Sequence, residues 1–129
     1  MAQLDPILAV RDVNKSAAWY QSIFACTRRH AGNEFAILDG EDGEVFLCLH
    51  KWGEHDHPTM KEPSVQDGNG LILYFRTKAI QAIRANCDAI DHPVESEIQL
   101  NPNSGKKEFS LRDPDGYYWT ISEYHAYGG

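Results

Sequence analysis

Hydrophobic and polar residues recur along the chain with two different periods, and the periods separate helices from strands. Over residues 17–24 the apolar positions return every three or four residues, which predicts a helix capped by Asp12 or Asn14. A second helix follows Thr77. The apolar positions that mark the inner side of this second helix are Ile80, Ile83 and Ile90.

The other apolar segments are short, rich in β-branched and aromatic residues, and bounded by Gly, Asn, Asp or Pro, which predicts strands. Four strands are predicted before the long loop at residues 53–69, which has no periodic apolar pattern, and four after it. The full set of predicted strands is 4–10, 26–30, 34–38, 44–50, 71–76, 93–100, 107–111 and 118–124.

The element order is β-α-β-β-β, a loop, and then the same order again. Residues 8–12, Leu-Ala-Val-Arg-Asp, also resemble residues 73–77, Leu-Tyr-Phe-Arg-Thr, at the same place in each half. A repeated unit that is too small to bury its own sheet predicts two paired modules with a shared concavity. We therefore expect one α+β domain over 1–129, with modules at about 1–52 and 70–129.

The clearest turn in the sequence is Asp113-Pro114-Asp115-Gly116. Asp accepts a hydrogen bond from the backbone two residues on, Pro has its φ already set, and Gly avoids a Cβ clash, so a β-hairpin is predicted. The following strand alternates, with Trp119, Ile121 and Glu123 on one face. The opposite face carries hydroxyls and rings, which suits either a binding surface or an ordinary amphipathic strand: Tyr118, Thr120, Ser122 and Tyr124.

Composition and charge exclude several classes of function. The formal charge is −7 without a basic patch, which argues against nucleic acid as a partner. No apolar run approaches the length of a membrane span, and no basic segment precedes an apolar one at the start, so we expect a cytoplasmic protein. Three widely spaced cysteines form neither a disulfide framework nor a zinc motif. The acidity favours a cationic ligand, but it is also simply what keeps many proteins in solution.

In this order, the motifs resemble the vicinal oxygen chelate superfamily, which holds glyoxalases, bleomycin-resistance proteins, fosfomycin-resistance proteins and extradiol dioxygenases. The resemblance rests on Leu8-Ala9-Val10-Arg11-Asp12-Val13, the helical Ala18-Trp19-Tyr20, the strand at 45–49 running into Lys51-Trp52-Gly53, and the Asp-Pro-Asp-Gly hairpin. It implies two βαβββ modules that form an incomplete β-barrel with a cleft, in many members across a homodimer.

The resemblance also implies where a divalent metal would be held. The four ligand positions of metal-dependent members fall on Asp5, Leu47, Leu71 and Thr120. Leucine has no lone pair and a neutral hydroxyl is a weak ligand, so only Asp5 is an ordinary donor. A shift by one residue adds only Cys48 as a donor. We therefore expect no metal and no other cofactor.

Without the metal, the cleft suits binding of a small molecule, as in the bleomycin-resistance proteins that sequester an antibiotic. We predict a cytoplasmic homodimer that holds a hydrophobic or cationic aromatic ligand, with rings available for stacking and cation–π contacts. The alternative is a glyoxalase-like lyase or isomerase in which Asp5 is the catalytic residue. The predicted ligand-binding residues are Asp5, Ile7, Leu47, Leu49, Trp52, Leu71, Leu73, Tyr118, Thr120, Ser122 and Tyr124.

Two other candidate sites have less support in the sequence than the cleft. His55-Asp56-His57 in the long loop has two imidazoles but no third donor on a rigid element, and a solvated polar loop explains it as well. Glu108 and Glu123 are candidate general bases, although Glu123 has the wrong parity to share a face with Thr120. No serine-hydrolase, Walker or dinucleotide-binding motif is present in the sequence.

Overall fold

The computed structural model describes residues 3–29, 32–54, 57, 59–60, 63, 68 and 70–126. It divides into two compact units, residues 1–67 and 68–129, each with the element order β-α-β-β-β. The first unit contains β1 (Ile7–Val10), α1 (Val13–Phe24), β2 (Thr27–Arg28), β3 (Phe35–Asp39) and β4 (Val45–Lys51). The second contains β5 (Leu73–Thr77), α2 (Ile80–Ala89), β6 (Ser96–Asn101), β7 (Lys106–Arg112) and β8 (Tyr118–Glu123).

Each unit has one four-stranded sheet, and the two sheets have the same topology. The strand orders are β1-β4-β3-β2 and β5-β8-β7-β6. In each, the strand before the helix lies parallel to the last strand, and the other pairs are antiparallel. The predicted α+β class and the repeated order are confirmed, and neither sheet of the described residues closes into a barrel. In these residues, no helix is long and apolar enough to cross a membrane.

Local sequence signals fix most element boundaries. Asp12, of the two predicted caps, begins α1, because its side chain accepts a hydrogen bond from the Lys15 N–H at 3.0 Å. The predicted hairpin is also confirmed: the Asp113 Oδ1 accepts hydrogen bonds from the N–H groups of Asp115 (2.9 Å) and Tyr117 (2.8 Å). Gly116 adopts a φ of +93°, which a side chain would disfavour.

Two predictions about α2 are wrong. Thr77 is the last residue of β5 rather than the helix cap, and its hydroxyl accepts a hydrogen bond from the Ala79 N–H in the turn. Ile90 lies beyond the helix end and is 41% exposed. The helix ends at Ala89 and Asp91 takes a left-handed φ of +55°, so Cys87 completes the buried side in place of Ile90.

One face of each sheet is packed under its own helix. In the first unit, the residues of the helix-covered face are at most slightly exposed: Leu8, Val10, Ala36, Leu38, Leu47 and Leu49. In the second unit, the corresponding core faces α2, and its sheet residues are Phe109, Leu111, Trp119 and Ile121. The opposite face of each sheet, here called its far face, is where candidate functional side chains lie.

Candidate functional site

The far face of the first sheet is mostly apolar. Strand pairing places Ile7 beside Cys48 and Ala9 beside His50, and paired residues point to the same face. Cys48 is in turn paired with Ile37, and His50 with Phe35. Ile7 is 47% exposed, whereas Cys48 and His50 are buried. This face therefore offers hydrophobic contact with one thiol and one imidazole: Ile7, Ala9, Phe35, Ile37, Cys48 and His50.

Leu47 and Leu49, which the sequence predicts to bind the ligand together with Ile7, do not lie on the face that carries Ile7. Leu49 is the partner of Leu8, so it points away from the face that carries Ile7 and Cys48. Leu47 has the same orientation as Leu49, because it pairs with the buried Leu38. Both leucines belong to the core under α1, and the position facing Ile7 is Cys48.

Asp5 lies just before β1 and is exposed. Its Oδ1 accepts a hydrogen bond from the Gln3 Nε2 at 3.1 Å. Burial raises the pKa of the Cys48 thiol above its usual range, and the negative charge of Asp5 raises it further. The Asp5 carboxylate thus acts electrostatically on the thiol of the far face.

Trp52 follows β4 in the turn that closes the first sheet. Its backbone N–H donates a hydrogen bond to the Val10 carbonyl at 3.1 Å. The ring is half-buried, and its Nε1 is shielded from solvent with no hydrogen-bond acceptor among the described residues. A buried indole N–H normally finds an acceptor, so this donor can serve a bound molecule.

The far face of the second sheet is polar across its full width. Its three central hydroxyl residues, Ser110, Thr120 and Ser122, are buried. One row across the strands runs Tyr74, Thr120, Ser110 and Ser96, and the next runs Arg76, Ser122, Glu108 and Gln99.

The predicted alternation of β8 is confirmed, but the predicted place of Leu73 beside Thr120 is wrong. Leu73 is the partner of Trp119 and so points toward the helix-covered face. Its predicted companion Leu71 lies before β5 and is partly exposed. The residues that flank Thr120 on β5 and β7 are Tyr74 and Ser110, which the sequence reasoning missed. The strict alternation of β7, with Phe109 and Leu111 on the other side, is the signal that could have found Ser110.

Hydrogen bonds on this far face leave one oxygen unused. The hydroxyls of Ser110 and Thr120 are 3.1 Å apart, and the Ser122 hydroxyl donates to the Glu123 carbonyl at 3.1 Å. The Asn101 Nδ2 donates to the Glu108 Oε1 at 3.1 Å. The other oxygen of Glu108, Oε2, is shielded from solvent and has no hydrogen-bond donor among the described residues.

The two predicted tyrosines already contact cations of the chain itself. The Arg112 guanidinium lies 5.1 Å from the centre of the Tyr118 ring. Tyr124 lies beyond β8, with Arg76 at 5.7 Å and Lys78 at 5.8 Å from its ring centre. A cationic ligand would have to displace one of these side chains to use either ring.

The residues at the four implied metal positions do not fit a divalent ion. Leu47 points under α1, Leu71 has no donor atom, and the Thr120 hydroxyl bonds Ser110. Within the described ranges, no group of three His, Cys, Asp or Glu side chains comes together. His57 has its ring centre 5.1 Å from that of His50, while its predicted companions His55 and Asp56 lie outside the described residues. That the protein carries no metal stays a prediction.

Comparison with known proteins gives a family and a set of similar folds. The model of the glyoxalase/bleomycin resistance protein/dioxygenase superfamily matches residues 3–121. No curated protein sequence is a significant match.

Three solved structures illustrate the similar folds. TioX from Micromonospora sp. ML1 has a TM-score of 0.77 and 15% identity, over 97% of this chain and 100% of that one. A bleomycin-binding protein complexed with bleomycin has a TM-score of 0.66 and 17% identity, over 97% and 100%. Lactoylglutathione lyase from Agrobacterium tumefaciens has a TM-score of 0.67 and 20% identity, over 95% and 92%. At these identities the likeness establishes the fold alone.

Proposed function

The chain belongs to the glyoxalase/bleomycin resistance protein/dioxygenase superfamily, and from that premise we propose that it binds a hydrophobic or cationic aromatic small molecule without a metal. The observation that carries the proposal is the far face of the second sheet. Its centre, at Ser110, Thr120 and Ser122, is polar and yet buried. Polar groups placed out of water on a rigid sheet are the usual means by which a binding site fixes the orientation of its ligand.

The far face of the first sheet is a second, apolar surface included in the proposal. Ile7 offers exposed hydrocarbon, and Trp52 offers a ring edge whose N–H needs an acceptor. Asp5 supplies a negative charge near this face. The predicted ligand set is thus retained for Asp5, Ile7, Trp52, Thr120 and Ser122. Leu71 stays in the proposal as a partly exposed flanking residue, and Tyr118 and Tyr124 as rings that a ligand reaches only by displacing a cation.

The similar structures support this class of function. One is a bleomycin-binding protein in complex with bleomycin, and another is a bleomycin resistance determinant encoded on the transposon Tn5. We therefore propose a role in resistance to an antibiotic or a related toxic compound. The three cysteines are buried as free thiols, which is typical of the reducing cytoplasm proposed for the protein.

We also propose that the protein is a homodimer. β1 and β5 are edge strands of their sheets, and both edges expose apolar side chains. Ile7 lies on β1, while Ile72 and Tyr74 lie at β5. An exposed edge with apolar side chains is a template for pairing with another chain. Sedimentation at micromolar concentration should give the mass of two chains, and a monomer would contradict this part of the proposal.

Metal analysis combined with ligand titration tests the main proposal. The purified protein should retain far less than one ion per chain after incubation with Ni²⁺, Zn²⁺, Mn²⁺ or Fe²⁺ and desalting. It should then bind bleomycin or another cationic aromatic compound equally well with and without a chelator. One retained ion per chain, together with binding that the chelator abolishes, would contradict metal-free binding.

A lyase or isomerase of glyoxalase type is the second candidate, because a lactoylglutathione lyase is among the similar folds. Asp5→Ala separates the two functions. In a binding protein this change weakens affinity but leaves the site in place, whereas in an enzyme that uses Asp5 it abolishes turnover of lactoylglutathione. If Asp5→Ala alters neither binding nor turnover, Asp5 lies outside the site.

A further inference from the structure

Glu108 is a carboxylate in the polar rows of the second far face, and its two oxygens have different surroundings. Oε1 accepts a hydrogen bond from the Asn101 Nδ2, which fixes the orientation of the carboxylate. Oε2 is shielded from solvent and receives no hydrogen bond from any described residue. A buried carboxylate oxygen without a donor is costly to the fold, and such an oxygen is therefore rare unless something else binds it.

No described residue forms an ion pair with Glu108. The adjacent residue on β8 is Ser122, whose hydroxyl already donates to a backbone carbonyl. Arg76, in the same row, is one strand further away and donates to the His125 carbonyl at 2.6 Å. On the other side, Gln99 on the edge strand β6 is exposed, so the Glu108 end of this row lies next to the solvent-exposed edge of the sheet.

We infer that Glu108 is the residue that recognises a protonated amine or amidine on the bound molecule, with Oε2 as the acceptor. A cationic N–H donor satisfies both the missing hydrogen bond and the missing charge, and such charge-assisted bonds are about twice as strong as neutral ones. The inference rests on the proposed function and deepens it, because it names the chemical class of the ligand. It also explains why the acidic residue lies among hydroxyls rather than at the exposed rim.

Matched pairs of small probe molecules test the inference even while the natural ligand is unidentified. Benzamidine and tryptamine carry a cationic nitrogen, while benzamide and indole-3-ethanol are their neutral counterparts. The dissociation constants are measured by NMR titration of the full chain, with bleomycin as a fifth probe. The wild type should bind each cation at least about tenfold more tightly than its neutral counterpart. The side-chain carboxyl carbon of Glu108 should shift on binding of the cations.

Glu108→Gln keeps the size of the side chain and removes its charge. The ratio between the dissociation constants of each neutral probe and its cationic counterpart should therefore fall to about one, while the affinity for the neutral probes is kept. Glu41→Gln removes one negative charge in an exposed turn of the first unit and should keep the preference. If Glu108→Gln does not fold, the wild-type probe ratios and the Glu108 carboxyl shift still decide the matter.

The outcomes separate the two proposals. Binding without cation preference, or a preference that survives Glu108→Gln, would overturn the role of Glu108 and leave small-molecule binding in place. Failure of all five probes to bind would overturn the proposed function and this inference with it. Equal loss of preference in Glu41→Gln would show that net charge, not Glu108, is responsible.

Discussion

The two sheets of this protein have the same topology and the same kind of helix-covered core, yet their far faces differ in chemistry. The first presents aliphatic and aromatic side chains around Cys48 and His50. The second presents hydroxyls, two arginines and a glutamate. The repeated βαβββ plan thus fixes where side chains point, while the identity of alternate residues decides what each face can bind. Among the described residues, the Trp52 Nε1–H of the first unit and the Glu108 Oε2 of the second are shielded polar atoms without a hydrogen-bond partner.

The largest expected effect is on the free energy of unfolding, and it shows which face of the first sheet belongs to the core. Leu49→Ala should lower the free energy of unfolding by about 2–5 kcal/mol, because Leu49 is fully buried under α1. Ile7→Ala, its matched control on the far face, should cost less than about 1 kcal/mol, because Ile7 is 47% exposed. Urea unfolding of the two variants measures both values. Equal losses would contradict the assignment of opposite faces.

An intermediate effect is expected on the second far face. Thr120→Val removes one of two hydroxyls that bond each other and leaves Ser110 with a buried unsatisfied hydroxyl, at a cost of about 1–3 kcal/mol. Ser110→Ala should cost a similar amount. The double variant should be less destabilised than the sum of the two single variants, as measured by a double-mutant cycle. Strict additivity would show that the two hydroxyls do not interact.

The smallest effect concerns the thiol of the first far face. Burial and then Asp5 raise the pKa of Cys48, so the neutral thiol is favoured by folding. This contribution to stability is present below the ordinary thiol pKa and is lost as the pH rises through and above it. Asp5→Asn should lower the pKa and modestly speed alkylation of Cys48 at a pH of about 8.5, near the ordinary thiol pKa, quantified by mass spectrometry of the Cys48 peptide. Glu41→Gln should leave the rate unchanged, and a slower reaction in Asp5→Asn would contradict the coupling.

The sequence predicts the element order well and the orientation of some strands poorly, and the reason is physical. β8 alternates between polar and apolar residues from 118 to 122, so the sequence predicts its two faces correctly. β4 is apolar at five consecutive positions, 45–49, and such a run does not show which residues point to which face of the sheet. The run itself therefore does not show that Leu47 and Leu49 point to the core while Cys48 points to the far face.

Other features depend on contacts that no local pattern encodes. Ile90 continues the apolar spacing of α2, but the helix ends at Ala89 and the chain turns at Asp91. Ile90 therefore lies outside the buried side of the helix. The unsatisfied oxygen of Glu108 is visible only once the partners of Asn101, Ser122 and Arg76 are known. Sequence reasoning identified Glu108 as a candidate acid–base residue near the cleft, without its role as an acceptor.

The most direct test of the account is side-chain methyl NMR during titration with a bound compound such as bleomycin. Binding at a far face predicts large shifts for the methyl groups on that face, which are those of Ile7 and Ile37 on the first sheet and of Thr120 on the second. The methyl groups of Leu47, Leu49 and Ile121, under the helices, should shift little. Large shifts confined to the second group, or no shift at any of the six residues at saturation, would contradict binding at the far faces.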